Sequence, residues 1–487
     1  MNNKRYFHEV VHNNFGRQLA YFDADVIDET NVSQCLQQTI SVFNANKVAA
    51  QYLWNYYKGD QPALYRTKKV RSDINNKVVE NHAFEIVMFK NGQTYGEPVT
   101  YVNVSDNDDK SSFIDKLNNY CRVASKDTFD LSCGEWQSAT GIGYKGIFNK
   151  NETIPFGIVI PTPLNTWIVR SMNTQEKIVC FQVVVRSTGT TYKAWTPSKV
   201  FTLDDTYNMV SNKDNPSNLH AYGGIPVVDY PNNQNCLSDI ETVINLLDAI
   251  NSVQSSRVDS IDQFVQAFLK FVNCEIDAKE FDKMKERGAI VVHSREGDDS
   301  GHADVDTLSL EMNQENGQVA KDDLWNNAMS ILAIPNKEGN TGGDTQGAVE
   351  LRNGWDFSKT RAMIKDSFVK KSERDFAKLI LHRLKQVEGE AAFPLTEMDF
   401  DVHIVHSPTD NLYTKSEALA MLLKNGIHPL VAIKTCGLWS DCEKVFLLSK
   451  PYLDNLYKTI DDAIEEQGLT DQIEKANELL ASGGANE

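Results

Sequence analysis

Three groups of residues have the types and spacing that could do chemistry. The first runs Asn336-Lys337-Glu338-Gly339-Asn340-Thr341-Gly342-Gly343-Asp344-Thr345-Gln346-Gly347, after Pro335 and before a helical pattern. Glycine-rich backbone at the start of a helix can turn its N–H groups toward an anion, which is how phosphate loops work. The Gly-x-x-x-x-Gly-Lys-[Ser/Thr] spacing is absent, Thr345-Gln346-Gly347-Ala348 supplies no lysine, and no strand precedes the loop, so nucleotide binding is not expected. The segment is then a flexible finger reaching into a cavity or a solvent-exposed connector, and composition does not separate the two.

The second group contains histidines. His403 and His406 are three apart on or just past a predicted strand, so alternation sends them to opposite faces and prevents them from sharing a metal. His293 and His302 flank an acidic stretch with Asp298, Asp299, Asp304 and Asp306, but the spacing fits no EF-hand loop and predicts a solvated acidic surface. The eight cysteines are scattered without a Cys-x-x-Cys pair, which predicts free thiols in a reducing compartment. No nucleophile motif of the Gly-x-Ser-x-Gly or His-Glu-x-x-His kind occurs. No catalytic residue, metal or cofactor is expected.

The third group is a basic helical pattern from Ser358 to Lys385. It carries Lys359, Arg361, Lys365, Lys370, Lys371, Arg374, Lys378, Arg383 and Lys385 against Asp366, Glu373 and Asp375. It stands out because the whole chain of 487 residues has a net charge of −18. That balance excludes a protein that wraps nucleic acid with its entire surface, so any phosphate contact must be local. The basic pattern is then either an anion-facing strip or a solvated helix face paired with acidic neighbours.

The elements that must position these groups alternate in type. Hydrophobic content of 41% and charged content of 24% are ordinary for a folded chain long enough for about three domains or one elongated subunit. No run approaches the roughly 20 apolar residues of a membrane span, and the N-terminus has no apolar leader, so neither secretion nor membrane insertion is expected. Helical spacing covers Gln34 to Tyr57 and Asn76 to Lys90, followed by an extended run Val99 to Val102. Short β-rich runs occupy Phe156–Ile160, Trp167–Val169, Ile178–Val185 and Val200–Leu203, and Val227-Val228 adds another. Ser238 with Glu241 forms a capping box for a long helical tract with a joint near Arg257–Ser260 and a second apolar face from Ile261 to Val272. A small module with strands at Ala289–Val292 and Leu308–Leu310 follows, then a helix over Ala320–Ala333. A long helix from Ala348 to Glu390, bent near Gly354, leads to a strand over Phe400–Val405 and to helices from Lys415 onward. The fold class is α+β.

In this order, four stretches carry a resemblance: Ala45-Asn46-Lys47 through Tyr56-Tyr57-Lys58-Gly59-Asp60-Gln61-Pro62; Ile86 through Tyr95-Gly96-Glu97-Pro98-Val99-Thr100-Tyr101; Gly224-Ile225-Pro226-Val227-Val228 through Ser238 to Asn251; and Gly347-Ala348-Val349-Glu350-Leu351-Arg352. The chain resembles the portal proteins of tailed bacteriophages over nearly its whole length. The resemblance implies a portal fold: an α/β wing (1–256, with a strand at 396–410), a two-helix stem (257–275 and 320–334), a small α/β clip (276–319), a tunnel loop (335–347), a long channel-lining helix (348–395) and a helical crown (411–487). It further implies a ring of about twelve copies at one capsid vertex, through which double-stranded DNA is packaged and ejected.

The implied tunnel-loop residues are Pro335, Asn336, Lys337, Gly339, Asn340, Gly342, Gly343, Asp344 and Gly347, where Asn340 to Asp344 replace a more regular stretch of many relatives. Lys337, Lys359, Arg361 and Lys365 would face DNA, and Arg295, Asp298, Asp299, Asp304 and Asp306 would sit in the clip, where motor and adaptor dock. The implied partners are further copies of the chain, non-specific DNA, the terminase large subunit, capsid and scaffold proteins, and a head-completion adaptor, with no membrane. The implied location is the virion, and the host cytoplasm during assembly. An acidic wall suits such a channel, because many phosphate contacts would hold the duplex rather than let it slide. Two other readings remain open on sequence: a cytosolic α+β enzyme with a glycine-rich substrate loop, and a virion protein without a channel.

Overall fold

The computed structural model describes residues 15–69, 72–104, 110–150, 154–187, 189–211, 217–265, 268–272, 304–308, 314–335, 354–406, 412–439, 442 and 444–452. Its first elements are β1 (Ala20–Phe22), α1 (Val32–Tyr57), a 3-10 turn (Pro62–Tyr65), α2 (His82–Tyr95), β2 (Thr100–Asn103), α3 (Ser111–Val123) and α4 (Lys126–Thr140). Seven strands follow: β3 (Ile142–Asn149), β4 (Phe156–Val159), β5 (Thr166–Ser171), β6 (Lys177–Arg186), β7 (Gly189–Trp195), β8 (Val200–Leu203) and β9 (Val227–Pro231). The chain continues as α5 (Ile244–Val265), β10 (Phe268–Val272), β11 (Asp304–Leu308), α6 (Gln314–Leu332), α7 (Trp355–Glu388), β12 (Phe400–His403), α8 (Leu412–Lys424) and α9 (Pro429–Cys436). Two compact units result, one of Met1–Gly96 with Tyr120–Phe393 and one of Glu97–Asn119 with Pro394–Glu487.

In the first unit, α1 belongs to two cores. Val32, Cys35, Leu36, Thr39 and Phe43 recur at helical spacing and are buried. They pack on a five-stranded sheet ordered β1-β5-β6-β7-β8, with Phe43 stacked on Trp167 at 4.2 Å. The second half of α1 buries Ala49, Tyr52, Leu53, Tyr56 and Tyr57 among Ile86 and Val87 of α2, Leu247 and Ile250 of α5, and Ala328 and Leu332 of α6. Each fully buried Leu or Phe contributes about 1.5–3 kcal/mol. A second, three-stranded sheet is ordered β4-β3-β9.

Several sequence expectations are corrected. The helix expected from Asn76 begins at His82, because α5 side chains hold the preceding backbone extended: Asn76 N–H donates to Asp259 Oδ1 (2.6 Å), Val78 N–H to Ser255 Oγ (3.1 Å) and Glu80 N–H to Asn251 Oδ1 (2.8 Å). The capping box forms, with Ser238 N–H donating to Glu241 Oε2 at 2.6 Å, but the regular helix starts only at Ile244 and runs unbroken past Arg257–Ser260. Residues expected to extend that helix to Val272 instead form β10, antiparallel to β11 with Lys270 opposite Asp306. A short apolar run fits either state, and the ladder decides it. The bend expected near Gly354 is the start of α7, where Gly354 has φ +80°.

Strand β3 has no counterpart among the strands expected from the sequence, because its Gly143-Tyr144-Lys145-Gly146 composition hides it. Gly141, with φ +90°, turns the chain from α4 into β3, and a Cβ there would lie 2.0 Å from the Cys236 carbonyl oxygen. Cys35, Cys121, Cys133, Cys180, Cys236 and Cys436 are buried free thiols, and burial pushes the Cys35 thiol up to about 12.

The second unit pairs β2 antiparallel to β12, two runs that the sequence shows as extended without showing that they meet, with Thr100 opposite His403 and Asn103 opposite Phe400. Asn118 of α3 bonds both polar groups of the Tyr101 backbone, accepting from its N–H at 3.0 Å and donating to its oxygen at 2.8 Å. Helices α8 and α9 and a helical stretch over residues 444–452 fall close to the expected C-terminal helices. The expected strand Ala289–Val292 and the expected helix beyond Tyr452 lie outside the described residues.

Candidate functional site

Helix α7 carries the basic pattern, and its inner face fixes how that pattern is presented. Ser372, Glu373, Phe376, Ala377, Ile380 and Leu384 recur at helical spacing and are buried. Glu373 completes a four-charge cluster with Lys126 and Asp130 of α4 and Lys145 of β3. Lys126 Nζ lies 2.6 Å from Asp130 Oδ2 and 3.0 Å from Glu373 Oε2, while Lys145 Nζ bonds both carboxylates. Tyr230 of β9 donates its hydroxyl to Glu373 Oε1 at 2.9 Å, and the Lys145 ammonium sits 4.5 Å from the centre of the Phe376 ring. Burial alone would raise the Glu373 carboxyl, but Lys126 and Lys145 outweigh it and hold the group below its ordinary range.

A second set of pairs lies beside the first. Lys177 of β6 reaches Asp229 Oδ1 of β9 at 2.6 Å and Asp375 Oδ2 of α7 at 2.9 Å. Against the effect of burial, Lys177 and Arg170 keep the Asp229 carboxyl far below the usual carboxylate range. The Ser372 hydroxyl donates to the Asp229 backbone oxygen at 2.7 Å. With both sheets gripping its inner face, α7 turns Lys371, Arg374 and Lys378 outward, three and four residues apart and exposed.

The expected DNA-facing residues separate on this helix. Arg361 is exposed, and its guanidinium donates to the Ile331 carbonyl of α6 at 3.1 Å and lies 5.9 Å from the Phe357 ring. Lys359 is half-buried. Lys365 is a correction: the residue is partly exposed and lines a cavity beside α2 and α6, while its ammonium is shut off from solvent and so does not face outward. The structure also brings Lys90 of α2 into that cavity, with Nζ donating to the Leu332 oxygen at 2.5 Å. Sequence reasoning missed Lys90, which reads as an ordinary helix lysine because its partner lies 242 positions away.

Pro335 follows the end of α6, while Asn336, Lys337, Gly339, Asn340, Gly342, Gly343, Asp344 and Gly347 lie outside the described residues. So do Arg295, Asp298 and Asp299. Asp304 and Asp306, expected in an acidic loop, belong to β11. Among the described residues, no group of three or more His, Cys, Asp or Glu side chains could hold a metal, and no helix is long and apolar enough to cross a membrane.

Comparison with known proteins places these features in a family. Residues 38–407 match the family described as phage portal protein, SPP1 Gp6-like. The portal protein of Bacillus phage SPP1 is 25% identical over 354 residues, which span 67% of this chain and 65% of that protein. Among solved structures, the virion of a native gene transfer agent particle is similar with a TM-score of 0.42 and 11% identity, covering 82% of this chain and 93% of the other. The neck of the native particle, computed with C12 symmetry, is similar with a TM-score of 0.42 and 9% identity, covering 73% and 89%. The family match includes strands β2 to β12 and helices α2 to α7, and on that extent the chain belongs to the SPP1 Gp6-like family of phage portal proteins.

Proposed function

We propose that this chain is the subunit of a ring at one capsid vertex, through whose central channel double-stranded DNA enters during packaging and leaves during ejection. The observation that carries the reading is the family match over residues 38–407. The charge distribution supports it. A chain with net charge −18 repels the duplex along most of a channel wall, while a few cations per subunit, repeated around a ring, centre it without trapping it. Lys337, Arg361 and the outward row Lys371, Arg374 and Lys378 are the candidates for those cations.

In this reading the wing, stem, clip, tunnel loop and crown occupy the residue ranges given above, except that the first stem helix ends at Val265 and β10, paired with β11, belongs to the clip. The clip, with Arg295, Asp298, Asp299, Asp304 and Asp306, docks the terminase large subunit and later a head-completion adaptor. Capsid and scaffold proteins hold the outside of the ring, which assembles in the host cytoplasm and stays in the virion. Successive copies meet through two different faces, as closure of a ring requires. The role is structural, and no bond is made or broken by the chain.

Negative-stain microscopy of the purified full-length protein tests this directly. Rings of about twelve copies with an axial hole are expected. A compact particle without a hole at any protein concentration overturns the reading. Deleting Asn340 to Asp344 is expected to leave rings intact and to block packaging or retention of DNA, and normal packaging would remove the tunnel-loop assignment.

A further inference from the structure

Among the described residues, the two most exposed large hydrophobic side chains of the first unit are Val185 at 76% and Val26 at 71%. They stand at opposite ends of the five-stranded sheet. Strand β5 accompanies β6 from Lys177 to Gln182, and Val183 N–H still reaches the Asn165 oxygen at 2.7 Å, while β8 accompanies β7 only from Tyr192 onward. Beyond those neighbours the pairs Val184–Thr191, Val185–Thr190 and Arg186–Gly189 continue as a two-stranded tip. A two-stranded ribbon has little stability of its own in water. Alternation puts Val185 on the face of β6 whose Phe181 and Val183 meet α1, but past the end of that core. Arg186 is exposed and is the only charged residue between Lys177 and Lys193. Asp204 and Asp205 follow Leu203, which lies opposite Tyr192, so they sit at the base of the tip and not at its end.

The other end of the sheet carries the opposite charge. Strand β1 runs parallel to β5 with Phe22 beside Ser171, so the loop that leaves Phe22 emerges where β6 begins. That loop holds Asp23, Asp25, Asp28 and Glu29, all exposed, with Val26 in its middle and no cation. Its shape is fixed: Asp25 accepts from the Ser171 hydroxyl at 2.5 Å, and Asp28 accepts from the Thr30 N–H at 2.8 Å. Lys199 reaches Glu29 at 3.2 Å, and one cation against four carboxylates leaves this end acidic. From Lys177 to Arg186 strand β6 rises about 30 Å, so the tip and the loop of one chain do not meet.

We propose that the β6–β7 tip of one copy seats on the Asp23–Glu29 loop of the next, with Val185 against Val26 and Arg186 among the carboxylates. The proposal rests on the ring reading and names one contact that holds neighbours together. The charges match, since a guanidinium fork suits carboxylates, whereas two copies of the acidic loop repel each other. Two different patches at opposite ends of one sheet make a head-to-tail contact, the kind that passes from copy to copy and closes as a ring. The pairing is an anchor within a larger interface.

Oxidation of the full-length protein carrying both Val26→Cys and Val185→Cys tests the contact. Disulfides between chains are expected, giving a ladder of multiples on a non-reducing gel, while each single variant stays a single chain. Both positions are exposed, and melting temperatures equal to the parent's are expected. Arg186→Glu is expected to raise the concentration needed for assembly about threefold or more, with a smaller effect in about 1 M salt. Rings in micrographs without a ladder, dimers formed by either single variant, or assembly of Arg186→Glu at the parent's concentration overturn the proposal and leave the ring reading intact. A parent that stays a single chain at every concentration removes both.

Discussion

Lys145 of β3 and Glu373 of α7, 228 positions apart, form an ion pair that solvent does not reach on either side. Because Lys126 and Asp130 complete the cluster, removing one member strands an opposite charge in the interior. Lys145→Met is therefore expected to destabilise the first unit by about 3–5 kcal/mol. Lys145→Met combined with Glu373→Gln leaves the Lys126–Asp130 pair balanced and should cost less than the sum of the single changes. Denaturant melts of the four proteins measure this, and strictly additive losses would contradict it.

Asp248 gives a pH dependence. Its carboxyl accepts from the Tyr56 hydroxyl at 2.9 Å, and burial raises it from the ordinary 3.8 to about 7. A folded-state value above the unfolded one means that the folded protein holds the proton longer. The contribution is then fully present below pH 4 and is lost as pH rises through about 7, by up to about 4 kcal/mol. Asp248→Asn should melt at a higher temperature than the parent at pH 8 and show little advantage at pH 4. An advantage of equal size at both pH values would refute the assignment.

Asp259 organises the extended stretch ahead of α2. Its carboxylate takes the Asn76 backbone N–H at 2.6 Å and pairs with Lys68 at 2.7 Å and Arg66 at 3.0 Å. Asp259→Ala is expected to cost about 1–3 kcal/mol and to speed amide exchange at Asn76 to Glu80 before the rest of the first unit. Unchanged exchange there would show that the backbone is held by other groups.

Gly141→Ala forces a side chain into a left-handed backbone and onto the Cys236 carbonyl. A loss of roughly 1–3 kcal/mol or more is expected in a thermal melt, because neither the backbone strain nor the 2.0 Å contact can relax without moving β3. A neutral outcome would mean that the α4–β3 turn shifts freely.

Helix α1 was legible from its apolar spacing, and so were the hydrophobic strands β4, β5, β6 and β8, because burial leaves a helical period in the first and short runs of apolar, β-branched residues in the others. Strand β3 was not, since its center is a lysine whose partners come from α4 and α7, and a buried ion cluster leaves no local hydrophobic signal. The start of α2 was misplaced for a related reason: side chains of α5 more than 170 positions away hold residues 76–80 extended. The basic character of α7 could be read directly, but which of its cations face water could not. Lys365 and Lys371 look alike in sequence, and only packing against α2 and α6 sends one inward.

The sharing of α1 between two cores has a mechanical consequence. At 1.5 Å per residue its 26 residues form a rod of about 39 Å, whose first half is seated on the five-stranded sheet through Val32, Leu36 and, near the middle, Phe43 on Trp167, and whose second half is held by Leu53 and Tyr56 among α2, α5 and α6. A load applied to the five-stranded sheet is carried along that rod into the helical core rather than absorbed at a hinge. Sliding one core past the other would require pulling Phe43 and the tyrosines of the second half out of their seats together.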